Sequence, residues 1–272
     1  MSLVSTEWLN KNHSKVKIID ATWHMPNTNR NAYEEYKAQH INNAIFFDID
    51  KFSNQKTDLP HMLPEREKWE KIISNLGISN EDKIIIYDNS DVISSCRCWY
   101  SFIFFGHKPN LISVLDGGLF KWKKENRKIT NKISNHEKTN YKAKKISELV
   151  KTKEEIDKNI LKKKFQVVDA RSKNRFLGLE KEPRPNVMSG SIKNSSCLPF
   201  GELINPEDKT FIEKNLIKKK FKNIGVNNEN NVVFSCGSGI TAAVLGLAYY
   251  IINDRYLPAI YDGSWAEYGK LK

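Results

Sequence analysis

The stretch that decides the fold runs from Val232 to Thr241 and reads Val232-Val233-Phe234-Ser235-Cys236-Gly237-Ser238-Gly239-Ile240-Thr241. An apolar run, a polar glycine-containing loop and a second apolar run predict a buried strand, a tight turn and a helix. The cysteine would then face loop amides and the positive end of the helix, which favours a thiolate. The stretch therefore predicts a nucleophile at Cys236. A cysteine that only fills the core is the alternative interpretation of the same pattern.

Length and composition predict a globular protein of two domains. The chain has 272 residues, of which 39% are hydrophobic, so it can build two ordinary cores. It contains no apolar run of membrane-spanning length, and residues 1–7 do not resemble a secretory leader. We expect a soluble, cytoplasmic protein without a membrane partner. The 4 cysteines do not form two close pairs, which argues against a zinc site. We expect no metal and no organic cofactor.

The strongly basic balance does not indicate nucleic-acid binding. The formal net charge is +12, but the lysines are scattered or lie in short runs such as Lys162-Lys163-Lys164. Aromatic residues that stack on bases are not interleaved with them. We expect a solvated surface whose positive potential attracts small anionic substrates.

Four landmarks occur twice in the same order and at nearly one spacing. The pairs are Ile18–Thr22 with Val167–Arg171, Gln39–Ala44 with Gly190–Ser195, Ile84–Asp88 with Val232–Cys236, and Leu115–Gly118 with Ile260–Gly263. Short apolar runs that alternate with helix-period segments are typical of a parallel sheet covered on both faces. The sequence thus predicts two copies of one α/β domain. We place them at 1–132 and 148–272, joined by a polar linker at 133–147. The residues after this linker, Thr152 to Glu155, have the form of a helix capping box.

The two copies differ at the position of the predicted nucleophile. Asp88 in the first copy takes the place of Cys236 in the second. Only the second copy therefore offers a nucleophilic sulfur, so we expect the first domain to be inactive.

In these residues the chain resembles the tandem-rhodanese sulfurtransferases over essentially its whole length. The motifs that carry the resemblance are Phe46–Asp50, His61–Pro64, Val114–Gly118, Asp169–Arg171, Arg175–Gly178, Glu182–Arg184, the cysteine loop and Tyr261–Trp265. The resemblance implies two tandem rhodanese-like domains, the second one catalytic. Thiosulfate enzymes usually carry Arg and Lys after the cysteine, where this chain has Gly237 and Ser238. The loop is thus more similar to the 3-mercaptopyruvate type.

The resemblance also implies the groups that bind the substrate. Arg175 and Arg184 match the two arginines that hold the carboxylate and keto oxygen of the donor, and a guanidinium can bind a carboxylate through two parallel hydrogen bonds. Arg171, which follows the strand-end aspartate, is expected to tie that turn instead. Backbone amides of the loop would cradle the transferred sulfur, and the residues concerned are Gly237, Gly239, Ile240 and Thr241.

A proton relay is implied as well. Asp50 would orient His61, and His61 would polarise the hydroxyl of Ser238, following the logic of catalytic triads. Asp48 is the structural alternative to Asp50. One residue departs from the family pattern, because Ser191 stands where the second copy usually has the histidine that His40 supplies in the first. We expect this change to affect local packing near the site rather than the reaction.

These motifs predict a sulfurtransferase that carries sulfur from 3-mercaptopyruvate, through a persulfide on Cys236, to thioredoxin, a small thiol or cyanide. A thiosulfate:cyanide sulfurtransferase is one alternative. A persulfide carrier or redox module that does not turn over, with Cys96, Cys98 and Cys197 as resolving thiols, is another. A cysteine phosphatase is disfavoured, because it requires an arginine where Ala242 stands.

Overall fold

The computed structural model describes residues 2–227, 231–254 and 256–271. Its contacts divide the chain into two units. Unit 1 comprises Met1–Gln55, Leu63–Ile146 and Pro206–Phe211, and unit 2 comprises Lys56–Met62, Ser147–Asn205 and Ile212–Lys272.

Unit 1 is an α/β unit with a parallel sheet of five strands in the order β1-β5-β4-β2-β3. The strands are β1 Leu3–Val4, β2 Lys17–Asp20, β3 Ala44–Phe46, β4 Ile84–Tyr87 and β5 Ile112–Leu115. The helices are α1 Thr6–Asn12, α2 Ala32–Ala38, α3 Ile49–Phe52, α4 Arg66–Asn75, α5 Ser95–Phe104 and α6 Gly118–Lys124. Strand β4 lies in the middle and pairs in register with β2, Ile85 opposite Ile18.

The burial of the central strand shows that this sheet is covered on both faces. Ile84, Ile85, Ile86 and Tyr87 are all fully buried, although successive side chains of a strand point to opposite faces. A strand that is buried on both faces reads as a continuous apolar run. Part of the core on one face is formed by Leu9, Ile18, Tyr36, Ile85, Leu119 and Trp122.

Unit 2 repeats this architecture with the strand order β6-β10-β9-β7-β8. The strands are β6 Val150–Lys151, β7 Gln166–Asp169, β8 Ser196–Cys197, β9 Val232–Ser235 and β10 Ala259–Tyr261. The helices are α7 Lys153–Lys162, α8 Lys173–Phe176, α9 Lys214–Asn223, α10 Ile240–Ile252 and α11 Ser264–Tyr268. When the strands of each half are counted from its start, the two orders are identical. The predicted duplication of one α/β fold is therefore confirmed.

Some segments do not belong to the part of the chain that their position in the sequence predicts. Residues 56–62 belong to unit 2 and residues 206–211 to unit 1, while 133–146, most of the predicted linker, also lies in unit 1. There the amide of Thr139 donates to the carbonyl of Ser74 at 3.0 Å, and Tyr141 is buried. The segment therefore packs on unit 1 although its composition is polar.

The histidine replaced by Ser191 in the second copy has a structural role in the first. His40 is fully buried; its Nδ1 lies 2.6 Å from the carbonyl oxygen of Tyr36 and its ring stacks on the Tyr36 ring. Ser191 is only half-buried. The isoleucine that follows is nevertheless buried in both copies, as Ile41 and as Ile192. The second copy thus keeps the buried isoleucine but lacks the stacking contact that the histidine ring makes in the first.

Within the described ranges, no helix is both long and apolar enough to cross a bilayer.

The capping box predicted at the start of α7 is present and should stabilise unit 2. Thr152 Oγ1 accepts from the amide of Glu155 at 3.3 Å, and Glu155 Oε2 accepts from the amide of Thr152 at 3.0 Å. We predict that Thr152→Ala lowers the free energy of unfolding by about 1 kcal/mol, because an N-terminal amide loses its partner. Urea unfolding followed by circular dichroism measures the change. Thr152→Ser keeps the hydroxyl and should stay near wild type; equal losses in both variants would contradict the capping role.

Candidate active site

The cysteine loop lies at the carboxyl end of β9 and leads into α10. Cys236 is 2% exposed, and its Sγ accepts a hydrogen bond from the amide of Gly239 at 3.1 Å. Gly239 has φ +83°, a left-handed conformation that only glycine adopts at little cost. The loop therefore turns back on itself and directs a backbone donor at the sulfur, as the sequence predicts. Ile240 and Thr241 form the first residues of α10, Ile240 buried and Thr241 half-buried.

A second segment of unit 2 holds this loop in place. The amide of Cys236 donates to Ser264 Oγ at 3.2 Å, and that hydroxyl donates to the carbonyl of Tyr261 at 2.8 Å. The amide of Trp265 in α11 donates to the carbonyl of Cys236 at 2.9 Å. The loop is thus fixed by residues of the Tyr261–Trp265 motif, for which the sequence predicted no role.

The matching loop of unit 1 binds its own side chain. Asp88 follows β4 as Cys236 follows β9, and its carboxylate accepts from the amides of Ser90 at 2.8 Å and Ser95 at 2.9 Å. Burial raises the pKa of Asp88 above its ordinary value, and these hydrogen bonds oppose that shift. A carboxylate in this loop takes up the amides that would otherwise be available to another anion.

Ser238 is the centre of the polar contacts next to the cysteine. The Ser238 hydroxyl oxygen lies 3.0 Å from His61 Nδ1 and accepts from Arg184 Nη2 at 3.1 Å. Ser238 and His61 are both buried, 5% and 7% exposed. His61 belongs to the short segment 56–62 of unit 2 and has φ +61°, a strained conformation for a residue other than glycine. The predicted pair of His61 and Ser238 is therefore brought together by the structure.

Both predicted arginines reach the cysteine loop at Gly237. A Cβ atom added to Gly237 would lie 3.2 Å from Arg175 Nη2 and 3.4 Å from Arg184 Nη1. The absence of a side chain at this position thus leaves room for two guanidinium groups beside the cysteine. Such planar groups are suited to bind a carboxylate.

A buried ion network, not predicted from the sequence, holds this region. Arg171 pairs with Asp169 at 2.7 Å and with Glu182 at 2.6 Å, and all three side chains are at most 2% exposed. Glu182 also binds Arg175 at 2.5 Å. Burial alone would lower the pKa of Arg171, but the contacts with Asp169 and Glu182 outweigh it and raise the pKa. Arg171 thus ties its turn, as expected. The sequence did not predict the burial of Glu182, because the stretch Glu182-Pro183-Arg184 is charged and is typical of a protein surface.

Asp50, the predicted first member of the relay, lies in unit 1. Both of its carboxylate oxygens accept from the indole Nε1 of Trp23 at 3.0 Å. Asp48, its structural alternative, caps α3 by accepting from the amide of Lys51 at 3.0 Å. The role of Asp50 in orienting His61 stays a prediction.

The other three cysteines lie in surroundings that favour the neutral thiol. Burial raises the pKa of Cys96 and of Cys98 well above the usual range. Burial also raises the pKa of Cys197 to about 12, and its Sγ lies 3.5 Å from the carbonyl oxygen of Arg171. A thiol with a raised pKa is a poor nucleophile and is not readily oxidised.

Comparison with known proteins assigns the family. A model of the rhodanese-like domain matches residues 5–125 and again 152–271. The chain belongs to the rhodanese family and is a sulfurtransferase of that family.

Similar proteins match nearly the whole chain. Thiosulfate/3-mercaptopyruvate sulfurtransferase 1, mitochondrial, of Arabidopsis thaliana is 35% identical over 98% of this chain and 75% of its own length. The 3-mercaptopyruvate sulfurtransferase of Mus musculus is 35% identical over 98% and 91%. The crystal structure of SseA from Escherichia coli, presented as a 3-mercaptopyruvate sulfotransferase, superposes with a TM-score of 0.87 at 29% identity over 97% and 99%. Since one relative is mitochondrial by name, the cytoplasmic location of this chain stays a prediction.

Removing the charge of Glu182 should destabilise unit 2. We predict that Glu182→Gln lowers the free energy of unfolding by roughly 3 kcal/mol, because it leaves two buried or half-buried guanidinium groups without their shared carboxylate. Chemical denaturation measures the loss. Glu180→Gln is the matched control, since Glu180 is exposed and its carboxylate accepts only from Ser172 Oγ, at 3.3 Å, among the contacts seen. A Glu182→Gln variant as stable as this control would show that the network is dispensable.

Proposed function

We propose that this chain is a 3-mercaptopyruvate sulfurtransferase that moves sulfur through a persulfide on Cys236 to a thiol or cyanide and releases pyruvate. The observation that carries the proposal is the position of the Ser238 hydroxyl. It lies two residues after the cysteine, 3.0 Å from His61 and 3.1 Å from Arg184. A hydroxyl held between an imidazole and a guanidinium is placed to take part in proton transfer on a bound thiol.

The arginines beside the loop suit a donor with a carboxylate. Arg175 is held by Glu182 at 2.5 Å, and the guanidinium groups of Arg175 and Arg184 both lie beside Gly237. A guanidinium binds a carboxylate through two parallel hydrogen bonds. We infer that the carboxylate and keto oxygen of 3-mercaptopyruvate bind to Arg175 and Arg184, next to Gly237, and bring the donor sulfur to Cys236.

The proposed reaction has two steps. In the first, the Cys236 thiolate attacks the sulfur of the donor, an S–S bond forms and the C–S bond of the donor breaks. The electron pair of that bond stays on carbon as the enolate of pyruvate, which takes a proton. In the second, a thiol or cyanide attacks the outer sulfur and the Cys236 thiolate leaves. Oriented amides such as that of Gly239 stabilise the anionic sulfur without reorganisation.

The two alternatives predicted from the sequence are less well supported. Thiosulfate carries no carboxylate, and the loop offers Gly237 and Ser238 instead of cations for it; relatives nevertheless act, by name, on either donor. A redox module needs reactive resolving thiols, whereas burial raises the pKa of Cys96, Cys98 and Cys197.

The choice of donor is the first test. We predict that kcat/KM for 3-mercaptopyruvate exceeds that for thiosulfate by roughly 10- to 100-fold, because a charge-assisted contact contributes about 1.5–3 kcal/mol. Pyruvate and thiocyanate formation with excess cyanide measure the two rates. Equal efficiencies would favour the thiosulfate alternative, and a single stoichiometric burst of pyruvate would favour a carrier that does not turn over.

The covalent intermediate is the second test. We predict that Cys236→Ser abolishes the adduct of one sulfur atom that forms with 3-mercaptopyruvate in the absence of acceptor, because burial raises the pKa of the other three thiols. Mass spectrometry of the intact protein detects the adduct. Cys197→Ser is the control and should keep it. An adduct that persists in Cys236→Ser would place the persulfide elsewhere and refute the mechanism.

A further inference from the structure

Three large apolar side chains near the site are exposed to solvent. Leu177 is 64% exposed, Leu179 76% and Met188 46%; we call these three residues the apolar rim. The chain as a whole is polar, with a mean hydropathy of −0.57. A single exposed leucine is ordinary, but a contiguous exposed apolar patch marks an interaction surface.

The two segments that carry the rim touch each other. A Cβ atom on Gly178, between the two leucines, would lie 3.6 Å from the amide nitrogen of Gly190. The Ser189 hydroxyl, next to Met188, donates to the carbonyl of Glu180 at 3.0 Å. The leucine turn and the methionine segment are therefore neighbours on the surface.

The backbone presents these side chains in a fixed arrangement. The amide of Gly178 donates to the carbonyl of Arg175 at 3.2 Å, and that of Leu179 donates to the carbonyl of Asn174 at 2.9 Å. The amide of Met188 donates to the carbonyl of Gly269 at 2.7 Å. A loop whose backbone is already ordered need not lose backbone entropy when a partner binds.

The rim adjoins the groups that surround the cysteine. Leu177 directly follows α8, which carries Arg175, and Met188 lies four residues after Arg184. Both guanidinium groups reach Gly237, whereas Cys236 itself is 2% exposed. A sulfur acceptor must bring its thiol into this recess, so an acceptor that is a protein has to rest on the surface around it.

The charges beside the rim indicate what kind of surface the partner presents. Lys173 and Lys181 are exposed on either side of the leucine turn, and Glu180 is the one exposed acidic residue in the described stretch 172–190. Lys173 is paired with Glu202 at 3.2 Å, and its side chain is 64% exposed. Glu202 offsets Lys173, so the positive charge at this border is that of Lys181. Together with the net charge of +12, it suits a partner with acidic side chains around an apolar centre.

We propose that the apolar rim is the docking surface for a protein sulfur acceptor, a folded thiol protein whose cysteine is surrounded by apolar side chains with an acidic border. The proposal rests on the proposed function. The acceptor thiolate attacks the outer sulfur of the Cys236 persulfide, the S–S bond of the persulfide breaks, and its electron pair stays on Cys236. The acceptor leaves as a persulfide whose outer sulfur keeps the hydrogen that it carried on Cys236, and the negative charge of the attacking thiolate passes to the Cys236 thiolate.

The test compares a protein acceptor with a small one. The Leu177→Ser/Leu179→Ser double variant is assayed with 3-mercaptopyruvate as donor and either reduced thioredoxin or cyanide as acceptor. We expect kcat/KM for thioredoxin to fall roughly tenfold, since the variant removes apolar surface that docking would bury, and kcat/KM for cyanide to stay at the wild-type value. Leu161→Ser is the matched control, because Leu161 is 86% exposed on α7; it should leave both values unchanged.

The other outcomes separate the possible errors. An equal loss with both acceptors would show that the rim supports the site itself, and no loss with either would show that thioredoxin docks elsewhere; each overturns the proposal. A wild-type protein that is dimeric in sedimentation and a monomeric double variant would assign the rim to a second copy of this chain, which also overturns it. If the wild-type protein forms no pyruvate even with cyanide, the proposed function fails first.

The charged border is tested separately. Lys181→Glu should raise KM for thioredoxin and leave KM for 3-mercaptopyruvate with cyanide unchanged, and added salt should reduce the difference from wild type. Lys162→Glu, an exposed lysine on α7, is the control. Equal effects of the two substitutions would show that KM responds to net charge in general and not to the position of Lys181. That result would contradict the assigned surface.

Discussion

Arg171 binds Asp169 and Glu182 where all three side chains are almost completely removed from water. Charges in such surroundings are tolerated only when they are paired, and breaking one pair leaves an uncompensated buried ion. The constraint has a direct geometric consequence. Asp169 ends strand β7 and Glu182 lies in the loop after α8, so the network fastens that loop to the sheet. Glu182 holds Arg175, and Arg184 lies two residues after Glu182. Both arginines depend on this attachment for their position beside Gly237.

The duplicated fold shows how one backbone arrangement supports two outcomes. In each copy a loop follows the central strand and its amides bind the first loop side chain. In unit 1 that side chain is the carboxylate of Asp88, which accepts from two amides. In unit 2 it is the sulfur of Cys236, which accepts from the amide of Gly239. A carboxylate that is already satisfied by hydrogen bonds is stable but unreactive, whereas the sulfur of Cys236 is the nucleophile that we propose. One residue type therefore separates a structural loop from a candidate catalytic one.

Much of the fold was predictable because it is encoded locally. Apolar runs such as Ile84–Tyr87 become buried strands, and the Thr152 to Glu155 pattern becomes a capping box. The resemblance to a known family added Arg175, Arg184 and the pair of His61 and Ser238, which the structure brings to one loop. The roles of Glu182 and Ser264 were missed, although both residues lie in motifs that carry the resemblance. Glu182 lies in a charged, proline-containing stretch that reads as surface, and its burial follows only from the two arginines that it meets. Ser264 acts through a hydrogen bond to a residue 28 positions away.

By itself the sequence determined the α/β class with a parallel sheet, the duplication, and the presence of a cysteine at the start of a glycine-containing loop. These are properties of hydrophobic periodicity and of backbone dihedral preference, which act over a few neighbouring residues. Only the tertiary structure decided which groups surround that cysteine. His61 meets Ser238 across 177 residues of chain, and residues 56–62 pack with unit 2 although their sequence neighbours belong to unit 1. Contacts of this kind depend on how separate elements pack, and no local pattern of residue types encodes them.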